Sequence, residues 1–235
     1  MKKIILTGAT GKTGRIVLEG LKGYEVTSIA LPDIDLRNYN GLVDIFKGHD
    51  MIIHFAWNTT TENWKSPTID PDNIKMVANV YRAAVEAKVP RVLMASSVHA
   101  DDFPNWEGPG LLSPHRVPIP QNPYGASKVF MEALGRHYAA HHNLEVICVR
   151  FAGMNPENIP PPKEQDLDRR RWLTHNDLFR LLKCCIDAKK IKDNYCIFYG
   201  VCNHPRRIHD YSNPLGWEPK ENADDLQFNK FKECQ

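Results

Sequence analysis

KIILTGATGKTGR, residues 3–15, is the stretch of sequence that decides the fold. It reads as a short buried strand followed by a GxxGxxG loop that opens a helix. Glycines permit a tight turn and close backbone approach, and a helix N-terminus offers free N–H groups and a partial positive charge. Because the loop stands between a strand and a helix, it predicts a site for the pyrophosphate of a dinucleotide. The residues predicted to bind it are Gly8, Gly11, Lys12, Thr13 and Gly14.

Short apolar runs continue to alternate with helix-like stretches as far as Arg150. This alternation is typical of βαβ units, whose strands are apolar throughout because helices cover both faces of a parallel sheet. The sequence therefore predicts an α/β fold with a Rossmann-like, doubly wound parallel sheet of five or six strands. After Arg150 prolines and charged residues become frequent. We therefore expect a dinucleotide-binding domain over residues 1–150 and a small C-terminal substrate lobe over residues 151–235, packed together as one structural unit.

Length and composition exclude several classes of protein. At about 100–200 residues per domain, 235 residues form one large domain or two small ones. The formal net charge of +2 is too balanced to predict nucleic acid as a partner. The sequence shows neither a membrane span nor the apolar core of a signal peptide. The six cysteines lack paired or zinc-like spacing, so we expect reduced thiols, a cytoplasmic location and no metal site.

The choice between NAD and NADP depends on the end of the second predicted strand. Asp33 follows that strand, about 20 residues beyond the loop, where an acidic residue binds the adenosine ribose. We expect no arginine after the strand to bind a 2′-phosphate, which favours NAD. Two cations in the loop, Lys12 and Arg15, leave NADP as the alternative.

Tyr124 and Lys128 stand four residues apart in a predicted helix, so both project from one face. A nearby ammonium stabilises a tyrosinate and lowers the pKa of the phenol, which makes Tyr124 a usable proton acceptor. Upstream, an apolar strand ends in Ser96 and Ser97. A serine at that edge of the sheet can hydrogen-bond the substrate oxygen that the tyrosine deprotonates.

Together these elements resemble the extended short-chain dehydrogenase/reductase superfamily, which includes NAD-dependent epimerases and dehydratases. The resemblance covers essentially the whole chain and implies that Ser97, with Ser96 as the alternative, Tyr124 and Lys128 are the catalytic trio. It also implies that Asn73 supports the lysine, with a helix N-cap as the alternative role. The other cofactor contacts it implies are Asp35 and Leu36 on the adenine side, Phe55, Ala56 and Trp57 after the third strand, Ser96 beside the catalytic serine, and Phe151 beside the nicotinamide.

The C-terminal part resembles uronate dehydrogenases and the related archaeal NAD-dependent glucose-6-phosphate dehydrogenases. The resemblance rests on WLTHNDL (172–178), YGVCN (199–203) and DYSNPLGWEPK (210–220). Those enzymes oxidise the anomeric carbon of a cyclic sugar to a lactone. The small size of the lobe indicates a free sugar, sugar acid or sugar phosphate rather than a nucleotide-linked sugar.

The chain also departs from the uronate family. That family has a serine in place of Gly153 and an asparagine in place of Val98. Its carboxylate-binding arginine is not in register with the run Arg169 to Arg171. Such a run can grip a carboxylate or phosphate through bidentate hydrogen bonds, or it can be a solvated surface. The predicted substrate-side residues are Thr59 to Thr61, Ser97, Val98, His99, Gly153, Arg169 and Arg171.

The resemblance implies an NAD(P)-dependent oxidoreductase in which Tyr124 takes the hydroxyl proton of a small sugar, Ser97 steadies the oxygen and Lys128 lowers the pKa of the tyrosine. Two alternatives stay open at this point. One is a sugar epimerase or dehydratase, which returns the hydride to the substrate. The other is a non-catalytic NAD(P)-binding redox sensor of the NmrA type. The resemblance also implies a homodimer through the helices that begin near Asp72 and Tyr124.

Overall fold

A parallel sheet of six strands organises the computed structural model, which describes residues 1–59 and 67–226. The strand order is β2-β1-β3-β4-β5-β6, and every neighbouring pair is parallel. The doubly wound α/β fold is therefore confirmed. The strands are β1 (Lys3–Thr7), β2 (Glu25–Ile29), β3 (Met51–His54), β4 (Arg91–Ser97), β5 (Glu145–Phe151) and β6 (Tyr195–Gly200). The helices are α1 (Lys12–Gly20), α2 (Leu42–Phe46), α3 (Pro71–Glu86), α4 (Pro123–His142), α5 (Asp166–Arg169) and α6 (His175–Asp187).

Helices cover both faces of the sheet, as its continuous apolar strands require. In β1, Ile4 and Leu6 are buried on the face that α1 and α6 cover, while Ile5 is buried on the face of α2, α3 and α4. Successive side chains of a strand point to opposite faces, so each strand contributes to two separate cores. This two-sided burial explains why the strands lack polar alternation.

Side-chain caps fix the starts of the two longest helices. Asp70 accepts a hydrogen bond from Asp72 N at 2.9 Å at the start of α3. Asn122 accepts one from Gly125 N at 2.8 Å at the start of α4. In both helices the next residue is proline, whose fixed φ suits the first helical position. The start of α4 matters for function because Tyr124 lies in its first turn.

The order of the strands reverses between β1 and β3, and this reversal opens a crevice at their carboxyl ends. β1 leads into the glycine loop, and β3 leads into the segment Phe55–Trp57. Both stretches were predicted from sequence to bind the cofactor. The fold therefore brings two segments that are distant in sequence to one edge of the sheet.

Part of the range assigned to a C-terminal lobe belongs to the sheet layers. β6 pairs with β5 along residues 146–151, and α6 packs beside α1. The tail is held on α6 by Asp177, whose carboxylate accepts hydrogen bonds from Lys220 N at 2.8 Å and Glu221 N at 2.9 Å. A boundary at Arg150 stays a prediction. Across residues 1–59 and 67–226, no helix combines the length and apolar character that a membrane crossing requires.

Candidate active site

The glycine loop forms a tight cradle at the carboxyl end of β1. Gly8 has a φ of +72°, and a Cβ atom there would lie 2.6 Å from Ala56 N. A Cβ atom on Gly14 would lie 2.0 Å from Gly8 O, so only glycine lets α1 start this close to the turn. No acidic side chain lies in the first turn of α1, and Gly11 caps it without a side-chain hydrogen bond. The cradle and the free helix N-terminus fit the pyrophosphate of a dinucleotide.

Two adjoining cavities of about 730 Å³ and 420 Å³ follow the carboxyl edge of the sheet. They share part of their walls and form one elongated groove. We call the larger cavity the catalytic end and the smaller one the adenosine end, after the roles predicted from sequence for their residues. The predicted cofactor residues at the catalytic end are Gly8, Gly11, Lys12, Thr13, Gly14, Phe55, Trp57, Ser96, Tyr124, Lys128 and Phe151. Those at the adenosine end are Asp35, Leu36 and Ala56, together with Gly8, Gly11, Phe55 and Trp57 again.

The adenosine end differs from the sequence prediction in one residue. Asp33 is exposed and lines neither cavity, although Leu31 and Ile34 on either side of it line the adenosine end. Its assignment to the ribose is therefore corrected. Asp35 lines the groove instead, and its carboxylate accepts hydrogen bonds from Arg37 Nε at 2.9 Å and from Arg37 Nη2 at 2.7 Å. These hydrogen bonds lower the pKa of Asp35 to about 2.

The expectation that no arginine follows the second strand missed Arg37, which comes after the end of β2 and lines the adenosine end. The Arg37 guanidinium also donates to Asp72 Oδ2 at 2.8 Å, and both Arg37 and Asp72 line the adenosine end. Arg37 thus bridges the loop after β2 to the start of α3. The sequence Asp35-Leu36-Arg37 could have indicated this contact, because an arginine can fold back onto a carboxylate two residues earlier.

Ser97 and Tyr124 meet at the centre of the catalytic end. Their hydroxyl groups are hydrogen-bonded, and this bond opposes the burial that raises the pKa of Tyr124 to about 12. Ser97 Oγ also accepts a hydrogen bond from His99 N at 3.2 Å, because Ser97 caps the short 3₁₀ turn Val98–Ala100. The cap holds the serine hydroxyl in place.

Gly125 explains why Tyr124 approaches so closely, and the sequence analysis did not single it out. A Cβ atom on Gly125 would lie 1.9 Å from His99 O. The first turn of α4 therefore packs directly on the 3₁₀ turn that follows Ser97. A larger residue would push α4 and its tyrosine away from the serine.

Lys128 lies one turn further along α4, and its ammonium group is enclosed. Its Nζ donates to Ala95 O at 2.7 Å and lies 3.4 Å from the centre of the Trp57 ring. The Tyr124 ring centre is 5.6 Å from the same atom. Burial lowers the pKa of Lys128 well below its usual value. The residue therefore needs nearby negative charge to stay protonated at the bottom of the groove.

Asn73 lies near the start of α3 and contacts the segment that follows β3. The N-cap of α3 is Asp70, so the interpretation of Asn73 as an N-cap is wrong. Its side chain accepts a hydrogen bond from Asn58 N at 2.7 Å and donates one to Asn58 O at 3.1 Å. Through these two hydrogen bonds Asn73 fixes the segment after β3 at Asn58, the residue that follows Trp57. Its support of Lys128 stays a prediction.

The three consecutive arginines separate in space. Arg171 lines the catalytic end, where its guanidinium lies 4.4 Å from the centre of the Phe103 ring and donates to Asp168. Arg169 is buried elsewhere and donates to Asp224 Oδ1 at 2.5 Å and to Ala223 O at 2.8 Å. The assignment of Arg169 to the substrate is therefore corrected: Arg169 is the last residue of α5 and its side chain is buried against the C-terminal segment, whereas Arg171 lies in the turn that follows.

The remaining substrate-side predictions lie along the same wall as Arg171. Thr59, Ser97, Val98, His99 and Gly153 all line the catalytic end. Burial lowers the pKa of His99 to about 4, and its ring nitrogen hydrogen-bonds the Gln121 side chain. His99 is therefore a neutral polar group at neutral pH. Thr60 and Thr61 lie outside the described residues.

The doubly wound sheet, the glycine cradle and the Ser97–Tyr124–Lys128 cluster define a dinucleotide-dependent enzyme of the short-chain dehydrogenase/reductase class. The family model described as "NAD dependent epimerase/dehydratase family" matches residues 4–186. The chain belongs to this family, which confirms the resemblance seen in the sequence. It is an NAD-dependent enzyme that acts on CH–OH groups.

Three similar proteins extend the comparison. The NAD-dependent glucose-6-phosphate dehydrogenase of Haloferax volcanii is 28% identical, covering 96% of this chain and 95% of that protein. A uronate dehydrogenase of Pseudomonas putida is 27% identical, covering 94% and 85% respectively. The solved structure of a mutant uronate dehydrogenase from Agrobacterium tumefaciens in complex with NAD is 26% identical with a TM-score of 0.75, covering 95% and 86%.

Proposed function

We propose that the protein is a dehydrogenase that oxidises a small sugar, sugar acid or sugar phosphate at its anomeric carbon to a lactone. The observation that carries the proposal is the hydrogen-bonded pair Ser97–Tyr124, with Lys128 one turn away in the groove. The names of the relatives support the substrate class, since they act on glucose-6-phosphate and on uronates. NAD, when bound, supplies the hydride acceptor.

Within this mechanism each side chain has a separate task. Tyr124 accepts the proton of the substrate hydroxyl, and Ser97 hydrogen-bonds the same oxygen as its charge grows. Lys128 as an ammonium ion stabilises the tyrosinate and so opposes the effect of burial on the pKa of Tyr124. The first turn of α1 holds the pyrophosphate, and Trp57 closes the groove over the lysine. The groove orients both reactants, which is a large part of the catalytic effect in such sites.

A substrate panel tests the proposal. The purified protein is mixed with NAD or NADP and with uronates, aldoses and sugar phosphates, and NADH absorbance and lactone trapping by hydroxylamine are followed. Net NADH together with a trapped lactone is the expected result. Sugar conversion without net NADH would instead indicate an epimerase or dehydratase. Binding of the dinucleotide without turnover of any sugar would indicate a redox sensor and overturn the proposal.

Arg171→Met is expected to raise KM for an anionic sugar by about 10- to 100-fold with kcat nearly unchanged, because a charge-assisted hydrogen bond contributes about 1.5–3 kcal/mol. Steady-state kinetics with an anionic and a neutral sugar measure the effect. Arg169→Met is the matched control, since it removes the neighbouring arginine from outside the groove. It should lower thermal stability and leave KM unchanged. An equal rise in KM for the neutral sugar would contradict an anion-binding role.

A homodimer through α3 and α4 also remains part of the proposal. Phe130 of α4 is exposed, which suits a face that packs against a second copy. Light scattering of the wild-type protein and of Phe130→Glu tests it, with a dimer expected for the first and a monomer for the second. A wild-type monomer at micromolar concentration would overturn it. The cytoplasmic location likewise stays a prediction.

A further inference from the structure

A network of buried charges lies beneath the catalytic residues. We call it the buried charge network, and its members are Ser96, Asp101, Glu132, Arg150 and Tyr199. The side chains of Asp101 and Arg150 are 0% and 1% exposed, and that of Glu132 is 6% exposed. Two carboxylates and one guanidinium give the network a net charge of −1.

Each charge in the network has well-formed partners. Arg150 donates to both oxygens of Glu132, from Nε at 2.8 Å and from Nη2 at 2.7 Å. Arg150 also pairs with Asp101, whose Oδ2 accepts a hydrogen bond from Tyr199 Oη at 2.6 Å. Ser96 Oγ donates to Glu132 Oε1 at 2.5 Å. The carboxylate of Glu132 thus holds one end of the network.

The network also reaches the elements that carry the catalytic groups. Glu132 follows Tyr124 and Lys128 at steps of four residues on α4, so the three side chains share one helix face. Ser96 directly precedes Ser97 at the end of β4. Asp101 ends the 3₁₀ turn that Ser97 caps, and its Oδ1 accepts a hydrogen bond from Ile119 N at 3.2 Å.

Stability alone does not account for an unbalanced buried charge at this position. Replacing a buried ion pair by apolar residues is often neutral or stabilising, because desolvation opposes the attraction between the charges. Strands β4 and β5, which carry Ser96 and Arg150, also have a balanced ion pair at their opposite ends: Arg91 Nη2 lies 2.6 Å from Glu145 Oε2. The extra negative charge in the buried charge network lies instead beside a buried lysine.

We propose that Glu132 is a positioning residue: its carboxylate keeps Lys128 in the ammonium form and, through Ser96, fixes the end of β4 where Ser97 lies. The inference rests on the proposed function, in which the ammonium of Lys128 assists Tyr124. Glu132 itself contacts neither reactant.

The charges around Lys128 agree with this role. Burial lowers the pKa of Lys128, and the Glu132 carboxylate is the group that raises it again. The other titratable groups beside the lysine are Tyr124 on the same helix and His54 on β3. Burial lowers the pKa of His54 to about 3, so this ring is neutral at working pH.

Glu132→Gln tests the proposal through cofactor binding, without any turnover. The dissociation constant of NADH is measured by fluorescence against pH for the wild type, Glu132→Gln and Glu145→Gln. In the wild type, affinity should fall as Lys128 loses its proton. In Glu132→Gln the midpoint should move about one to two pH units lower, the size expected for a carboxylate one helical turn away. Glu145→Gln removes a carboxylate from a remote arginine pair and should leave the midpoint unchanged.

The second readout is the pH profile of kcat/KM for a sugar that the enzyme oxidises. Loss of the ammonium raises the pKa of Tyr124, so the acidic limb of the profile should move to higher pH in Glu132→Gln. Glu132→Asp keeps the charge but shortens the side chain, so both readouts should fall between the wild type and Glu132→Gln. If Glu132→Gln does not fold, Glu132→Asp alone tests the proposal.

An unchanged NADH midpoint in Glu132→Gln or Glu132→Asp, or the same shift in Glu145→Gln, overturns the proposal. A shifted NADH midpoint in a protein that oxidises no sugar would leave the role of Glu132 intact and reject the proposed function alone.

Discussion

Tyr124→Phe is expected to lower kcat by about 10²- to 10⁴-fold and to leave the dissociation constant of NADH nearly unchanged. The substitution removes one hydroxyl group, which is buried and hydrogen-bonded to Ser97, and keeps the ring that lies beside Lys128. No other described titratable group takes its place, because His99 has its pKa lowered to about 4 and is a weak base. Single-turnover kinetics on the sugar found in the substrate panel measure the loss.

Tyr211→Phe is the matched control for this experiment. Its hydroxyl lies 3.4 Å from Asn203 Oδ1 in the C-terminal segment, and Tyr211 does not line the groove. The variant should keep wild-type turnover. If Tyr124→Phe retained more than about a tenth of the wild-type rate, Tyr124 would not be the proton acceptor, and the proposed mechanism would be rejected.

Gly14→Ala is expected to damage both stability and cofactor binding. Its Cβ would lie 2.0 Å from Gly8 O and 2.9 Å from Ala9 Cα, and both are backbone atoms that cannot yield without moving α1. Overpacking of this kind costs about 1–3 kcal/mol, which corresponds to a fall of roughly 2–12 °C in Tm for a chain of this size. Movement of the helix N-terminus away from the pyrophosphate should weaken NADH binding by about tenfold or more.

Gly11→Ala separates packing from cofactor contact in the same loop. The nearest atom to its Cβ would be Gly8 O at 3.3 Å, and its φ of −67° suits any residue. Its Tm without cofactor should therefore stay close to that of the wild type. Thermal unfolding and NADH titration of both variants provide the comparison. Equal Tm values for Gly14→Ala and the wild type would show that the tight cradle is absent in solution.

The fold and the centre of the site could be predicted from local sequence. The glycine loop carries its own context of strand and helix, and helical spacing alone places Tyr124 and Lys128 on one face. The end of β4 brings Ser97 to the same edge because carboxyl ends of parallel strands meet there. The fold is as predicted, and Ser97, Tyr124 and Lys128 line one cavity, because the spacing that matters is short along the chain or is set by the sheet itself.

Errors arose where the direction of a side chain depended on packing. Asp33 and Asp35 differ by two residues, yet Asp35 lines the groove and Asp33 is exposed to solvent outside it. Arg169 and Arg171 are similarly close in sequence, but Arg169 at the end of α5 donates to Asp224, and Arg171 in the following turn lines the groove. Composition and spacing contain no information on these directions.

The sequence by itself determined the class of fold, the dinucleotide site and the Ser97–Tyr124–Lys128 cluster, because each depends on patterns within one strand, loop or helix. The tertiary structure alone decided that Arg171 and not Arg169 lines the groove, how closely Gly125 lets α4 approach Ser97, and that Arg150 joins Glu132 to Asp101 in a buried network. Those features join β4, α4, β5 and β6, and contacts between segments so distant along the chain arise only when the core packs.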